Sequence, residues 1–333
     1  MSNSFKAMVL NQQDGATTHE IVTMGTDALP EGDVLVQVEY SGLNYKDALA
    51  ITGTGKIVRS FPMVPGVDLA GTVLQSDSPD YKAGDRVVLT GWSVGERFWG
   101  GYSQVQRVRS EWLVPLPEGL DTRTAMALGT AGFTAMLCVM TLTEAGIKPE
   151  SGTVLVTGAA GGVGSVAVSI LKQLGFTVAA LVAPHQAETH GDYLRQLGAA
   201  EVLAGPEWST PPLPLEKQKW AAAIDTVGSL VLARALAETF YGGAIASCGL
   251  AGGADLPTTV MPFILRGVRL LGVDSVMCPV ERRKQVWQQI VRDFKPALLQ
   301  EIAQEVPLEE AARLAADMLA GKNRGRVLIN LQA

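Results

Sequence analysis

The sequence predicts an α/β protein in two parts, one β-rich and built from short strands, the other a doubly wound parallel sheet. Three observations predict this. Residues 154–175, VLVTGAAGGVGSVAVSILKQLG, pass from an apolar β-branched run through a glycine cluster into helical spacing, which reads as strand, turn and helix. Residues 1 to about 125 instead carry short apolar runs broken by Gly and Pro, the pattern of strands joined by tight turns. A chain of 333 residues also exceeds the roughly 150 residues of one dinucleotide-binding fold and points to two domains.

Taken in order, the strands expected in the first part are Lys6–Leu10, Asp33–Tyr40, Gly71–Leu74, Asp85–Thr90 and Trp112–Pro115. From Asp121 the pattern changes to strands alternating with helices, which implies a parallel sheet. Thr153–Thr157 reads as a buried strand, and Val166, Ile170, Leu171 and Leu174 share one face of the helix after it. Gly161, Gly162 and Gly164 fill the turn between them. A side chain there would keep a pyrophosphate from the free amides of the helix N-terminus and the helix from its strand. The fingerprint is the variant Ala159-x-Gly161-x-x-Gly164. A lone glycine pattern matches many turns, and here the flanking strand and helix supply the context that makes it a dinucleotide site. Phe176–Leu181, Ala221–Val227 and Gly243–Gly249 read as further strands, and Ser209–Pro214 as a stiff surface connection. Helices are expected over Pro279–Phe294 and Leu308–Ala320, and a last strand, Gly325–Leu331, returns to the first domain.

A net charge of −6 argues against nucleic acid as the main partner. The apolar runs are read as interrupted by charge or Pro, so no transmembrane helix is expected. The N-terminal apolar stretch is too short for a secretory signal, and the chain reads as cytoplasmic. Cys138, Cys248 and Cys278 are far apart in sequence and odd in number, so no disulfide framework is expected, and each reads as a small buried hydrophobe. His19, His185 and His190 cluster with none of them, and no tightly held metal is expected.

Leu43–Asp47 (LNYKD), Pro65–Gly71 (PGVDLAG), Ala83–Val87 (AGDRV), Gly100–Ser103 (GGYS) and Gly129–Ala135 (GTAGFTA) occur in this order around the glycine turn. Together they resemble the medium-chain dehydrogenase/reductases along essentially the whole chain. The zinc alcohol dehydrogenases of that superfamily have an early Cys, and Gly-His-Glu where this chain has Gly66-Val67-Asp68; the resemblance is therefore to the zinc-free quinone oxidoreductase and enoyl reductase side. Asn44–Ala50, Leu89–Trp92, Trp99–Gly101, Ala251–Gly253, Leu256–Arg266 and Gly272–Val276 are similar to the acryloyl-CoA reductases of the YhdH/AcuI type. The resemblance implies a GroES-like catalytic domain, 1–123 and 295–333, and a Rossmann domain, 124–294, with the dinucleotide between them. It also implies NADPH-dependent reduction of acryloyl-CoA to propanoyl-CoA and a homodimer joined through Val260–Val276. It places Tyr45, Ala160, Gly161, Gly162, Val163, Leu250, Ile264, Ser275 and Arg326 at the cofactor.

The chemistry of an enoyl thioester fits a site without metal, because hydride addition at the β-carbon needs donors that stabilise an enolate. Tyr45 is the expected catalytic residue, as oxyanion donor or proton relay, with packing on the nicotinamide as its other role. Asn44 and Asp47 are expected to hold its loop. Trp92 and Trp99 are candidates for a substrate slot, and Lys56, Arg59 and Arg97 for coenzyme A phosphates. One departure stands out. The resembling family carries Ser or Thr with Gly-Arg after the second strand, where the 2′-phosphate of NADPH sits, and this chain has Val182-Ala183-Pro184-His185. Relatives can also carry an arginine at Gly205. NADPH remains the expected cofactor with NADH not excluded, and His185, Arg195 and Lys217 are candidate replacement cations. A quinone or enone reductase and a cofactor-binding protein without catalysis remain the alternatives.

Overall fold

Asp14 and Gly15, at φ of 51° and 82°, turn the chain between β1 (Ser4–Gln13) and β2 (Ala16–Gly25), which pair antiparallel along their whole length. Two left-handed residues in succession suit a two-residue hairpin, and the Asp-Gly pair is the signal for it. β2 lies outside the expected strands because half of its residues are polar, four of them in one run, and none is fully buried. The computed structural model describes residues 4–333, the side chain of Pro296 apart.

Two compact units are present. The first holds the chain up to Thr130 with Val276–Val291 and Ala303–Ala333, and the second holds Ala131–Ser275 with Arg292–Ile302. These divisions differ from the expected 1–123 plus 295–333 and 124–294. Residues 124–130 stay with the first unit because the Thr130 amide is tied to Asp68. Residues 276–291 do so because the Arg283 guanidinium, 1% exposed, donates to the carbonyls of Thr90, Val276 and Cys278.

In the first unit follow β3 (Val34–Leu43), α1 (Tyr45–Thr52), β4 (Asp68–Ser76), β5 (Arg86–Thr90), β6 (Val105–Val108) and the two-residue β7 (Val114–Pro115). Val34, Val36 and Val38 alternate into the core, as period-2 patterning requires. β4 begins three residues before the expected Gly71, and so takes Asp68 into the sheet. α2 (Thr122–Glu144) is broken at Gly129, whose φ of 53° and ψ of −154° are not helical. The expectation about membrane spans needs correction here. Thr122–Glu144 is long and apolar enough to cross a membrane, but 83% of its most apolar window is buried in protein, so it is a core helix.

The second unit contains β8 (Val154–Thr157), α3 (Gly162–Gln173), β9 (Val178–Leu181), α4 (Ala187–Leu197), β10 (Glu201–Leu203), β11 (Trp220–Asp225), α5 (Ser229–Glu238), β12 (Thr239–Ser247), α6 (Met261–Arg266) and β13 (Arg269–Gly272). The strands form one parallel sheet in the order β10-β9-β8-β11-β12-β13. The order reverses between β8 and β11, and ligands of such sheets bind outside the carboxyl ends at that point. Leu155, Ala223, Ile245 and Trp220 form its buried centre.

The chain then runs through α7 (Val280–Asp293) and α8 (Leu299–Ile302) and returns to the first unit with β14 (Ala303–Pro307), α9 (Ala311–Leu319) and β15 (Arg326–Asn330). The sheet there runs β14-β15-β3-β4-β5-β7, with β6 also on β3. β15 pairs antiparallel with β3, bringing Arg326 to the end of β3 next to α1. β14, parallel to β15, was not expected, since AQEVP carries only one buried residue.

Candidate functional site

Tyr45 opens α1 in the first unit and is 45% exposed. The helix starts there because Asn44, extended at φ −108° and ψ 161°, supplies the cap. The Asn44 amide donates to Asp47 Oδ2 at 2.9 Å, satisfying one of the orphan groups of the first turn. Asp47 is 1% exposed, and its other oxygen accepts the Val67 amide at 3.0 Å. The Asn44 side chain donates to both Asp47 Oδ2 (3.2 Å) and Asp68 Oδ2 (2.9 Å), while its Oδ1 accepts Arg326 Nη1 at 3.0 Å. Only this orientation of the Asn44 amide satisfies all three neighbours.

Asp68 is fully buried and ties three segments together, accepting from the amides of Gly42 (2.7 Å) and Thr130 (2.8 Å) as well as from Asn44. The break at Gly129 is what frees the Thr130 amide. A Cβ at Gly129 would meet Arg326 Nη2 at 2.6 Å and Asp68 Oδ2 at 2.8 Å, so the glycine is required by both backbone and space. Arg326, 2% exposed, also donates to the carbonyls of Ala127 and Leu43. Burial pulls its guanidinium below its ordinary value, and Asp68 and Asp47 oppose that shift. Burial, and then the charge of Asp68, push the Asp47 carboxyl up to about 7 against the donors from Asn44 and Val67. Tyr102, buried with its hydroxyl on the Gly42 carbonyl (3.1 Å), is held well above the usual phenol value by burial. Two carboxyls, one guanidinium and one bridging amide thus fix the start of α1.

In the second unit, α3 begins at Gly162 without a side-chain cap, leaving its first amides for an anion. A Cβ on Gly164 would collide with the Gly158 carbonyl and with Ala159 Cα, so this glycine serves helix-to-strand packing. Ala160 is buried while Gly161 is exposed and Gly162 and Val163 half-buried. At the end of β11, Asp225 is fully buried. It accepts from Thr157 Oγ1 (2.8 Å) and from the amides of Gly228 (3.0 Å) and Val227 (3.3 Å), and burial raises its carboxyl above the ordinary value against these donors. An open depression of about 520 Å³ lies past the ends of β12 and β13, lined by Cys248, Gly249, Leu250, Val273 and Asp274 among others. Ser275 follows it directly, and Ile264 stands 70% exposed on α6. A second depression of about 300 Å³, with Glu31, Asp33, Asp77 and Arg107 on its rim, holds none of these residues.

Residues 30–118 match the model of the alcohol dehydrogenase GroES-like domain, and residues 162–293 that of the zinc-binding dehydrogenase. The chain is 55% identical over 326 residues to the probable acrylyl-CoA reductase AcuI of Escherichia coli, covering 98% of this chain and 99% of the relative. The chain belongs to the medium-chain dehydrogenase/reductase family. The yhdH oxidoreductase of Salmonella enterica, solved in complex with NADP, superposes with a TM-score of 0.95 at 53% identity over 98% of this chain and 99% of that one. The Bacillus subtilis protein yhfP, solved with NAD bound, gives 0.94 at 44% identity over 99% and 100%.

The zinc of other members of this family does not fit here. Among the described residues, no group of three His, Cys, Asp or Glu side chains converges, and the carboxylate of Asp68 is directed at protein donors. The dinucleotide does fit, with free first-turn amides at a glycine turn and the sheet reversal beside it. Of the three candidate replacement cations, only His185 follows a strand's carboxyl end, in the exposed loop after β9. Lys217 precedes β11, on the side of the strands' amino ends, and Arg195 lies near the C-terminus of α4, paired with Asp192 at 2.9 Å. A Cβ at Gly205, in the loop after β10, would meet the carboxylate of Glu207. In the first unit Arg59 pairs with Glu96, which Lys46 also contacts (3.8 and 3.1 Å), while Lys56 and Arg97 are exposed. Trp92 stacks under the Arg283 guanidinium at 4.8 Å and Trp99 donates to the Pro62 carbonyl; both pack against the core. The linking of Asp68 and Arg326 through Asn44, and the role of Asp225, were not foreseen. The only signal for them was charged residues standing inside strands that must be buried.

Proposed function

We propose that the protein catalyses the NADPH-dependent reduction of the C=C bond of acryloyl-CoA to propanoyl-CoA. The observation that carries this reading is the 55% identity to an acrylyl-CoA reductase over 98% of the chain, combined with a glycine turn and an exposed phenol anchored at a helix N-terminus. When bound, the reduced nicotinamide supplies the hydride that adds at the β-carbon of the thioester. The amides of Gly162 and Val163 bind the pyrophosphate. Ala160 and Gly161 line the approach to it by their backbone, and Leu250, Ile264 and Ser275 complete the cofactor contacts. Arg326, buried with its guanidinium on Ala127, Leu43 and Asn44, serves the cofactor through its hold on Asn44 rather than by contact. Tyr45 donates a hydrogen bond to the developing enolate oxygen or passes the proton to the α-carbon. The buried network beneath it fixes the helix start from which the phenol projects, which matters because such donors act through preorganisation.

We place the protein in the cytoplasm as a homodimer. β13 is an edge strand with little side-chain burial, and Val260, Ile264 and Leu265 next to it are exposed by more than half. An apolar edge of this kind is stabilised by a second copy.

The other reading is a quinone or enone reductase, favoured by 45% identity over 99% of the chain to a Bacillus subtilis protein named putative quinone oxidoreductase YhfP. Loss of the nicotinamide absorbance with acryloyl-CoA, crotonyl-CoA and a benzoquinone, measured side by side, decides between them. Preference for acryloyl-CoA by at least about tenfold in kcat/KM is expected. Faster turnover of the benzoquinone overturns the assignment.

A further inference from the structure

Thr157 and Asp225 end β8 and β11, the neighbouring strands between which the sheet order of the second unit reverses, and both are fully buried. Polar groups inside a sheet are costly unless hydrogen-bonded, and these two bond to each other. The Thr157 hydroxyl donates to Asp225 Oδ1 at 2.8 Å and accepts the Thr226 amide at 3.0 Å. That direction is forced, because the amide can only donate and leaves the single hydroxyl proton for Asp225. The same carboxylate accepts the amides of Val227 (3.3 Å) and Gly228 (3.0 Å), and the Thr226 hydroxyl donates back to the Thr157 carbonyl at 2.9 Å.

Three loops meet on this pair. The first is the glycine turn after Thr157, where a Cβ on Gly158 would collide with Thr226 Oγ1. The second is Thr226 to Gly228. The third, Cys248 to Gly253, includes Leu250 and is tied to the second: the Cys248 amide donates to the Asp225 carbonyl (2.9 Å) and the Gly252 amide to the Val227 carbonyl (2.8 Å). A Cβ on Gly249 would collide with the Thr226 carbonyl. The backbone is left-handed at Gly158, Gly228 and Ser229, with φ of 58°, 77° and 47°. A serine persists in that conformation where its surroundings over-determine it.

We propose that Thr157 and Asp225 are positioning residues for the dinucleotide, locking the glycine turn, the Thr226–Gly228 loop and the Leu250 loop in their binding shape before the cofactor arrives. The proposal rests on the reading of the glycine turn as the pyrophosphate site. Both side chains are buried and act through the loops, which lie at the carboxyl ends of β8, β11 and β12 where such sheets bind ligands. Loops already held in the bound shape spare the ligand the cost of ordering them. The parts of the dinucleotide they serve are common to NADPH and NADH, so loss of the Thr157–Asp225 bond weakens both cofactors alike.

The test measures dissociation constants of NADPH and NADH for the full-length protein by nicotinamide fluorescence, with neither acyl-CoA nor quinone present, so that it stands apart from the choice of substrate. Thr157→Val keeps the shape of the side chain and removes both the proton given to Asp225 and the oxygen that accepts the Thr226 amide. It is expected to raise both constants about tenfold, equivalent to about 1.4 kcal/mol. Thr157→Ser returns the hydroxyl and is expected to bind both cofactors within about twofold of wild type. Urea midpoints are measured beside the affinities, because a purely structural role lowers the midpoint of Thr157→Val and leaves the affinity of the folded protein unchanged. Should Thr157→Val fold poorly, Thr157→Ala removes the same hydroxyl without setting a methyl against the carboxylate, and the same weakening is expected. Wild-type affinity in the folded Val or Ala variant, weakening that Thr157→Ser does not reverse, or weakening of NADPH alone overturns the proposal. A wild type that binds neither dinucleotide overturns the reading of the glycine turn itself, and the proposal with it.

Discussion

The buried Asp47 makes a specific statement about stability. Its carboxyl is raised to about 7 in the folded protein, against about 3.9 for an unfolded aspartate. The native state therefore keeps a proton that the unfolded chain has already lost, and between these two values stability falls as pH rises. The stabilising contribution is complete below pH 4 and gone above 7, with a slope of about 1.4 kcal/mol per pH unit for one proton. From pH 5 to pH 7 this amounts to roughly 3 kcal/mol. Asp47→Asn removes the titration. The amide also costs stability, because its NH₂ must face either the Asn44 or the Val67 amide that Asp47 now accepts, but that cost is independent of pH. Urea denaturation of both proteins at pH 5, 6, 7 and 8 isolates the effect. The difference between them is expected to move in favour of Asp47→Asn by roughly 3 kcal/mol from pH 5 to pH 7 and then level off. A flat difference, or one that moves against the variant, would mean that Asp47 is ionised throughout and that its donors outweigh burial and Asp68.

Tyr45→Phe is expected to lower turnover by about 10²-fold, the scale of one lost oxyanion donor, whereas a nearly active Phe variant with weakened cofactor binding only in Tyr45→Ala would make the ring a packing surface. His185→Ala is expected to raise KM for NADPH and leave NADH untouched, because only NADPH carries the extra phosphate; Lys217→Ala, on the side of the strands' amino ends, changes neither, and equal use of both cofactors by the wild type would remove NADPH from the assignment. Ile264→Arg, placing a charge on a 70% exposed apolar position beside β13, is expected to give monomers in sedimentation at micromolar concentration; a wild type that is itself monomeric ends the dimer proposal.

Periodicity and turn chemistry determined much of this protein directly. The strand–turn–helix of Val154–Gly175 was legible because a phosphate turn restricts residue types locally: Gly164 has no room for a Cβ, and Val166, Ile170 and Leu171 must face the sheet. The helix Val280–Asp293 and the final strand Arg326–Asn330 were readable for the same local reason. β2 and β14 were not, because their residues are largely unburied and so carry little apolar signal, being held instead by backbone pairing, β2 to β1 across the hairpin and β14 to β15. The charged network under Tyr45 also belongs to tertiary structure alone. Asp68, Arg326 and Asn44 come from β4, β15 and the end of β3. Local sequence sets which backbone conformations are cheap, but a buried carboxyl's charge state depends on how deeply the fold buries it and on which side chains the sheet brings beside it, Asp68 from β4 for Asp47, about which spacing along the chain says nothing.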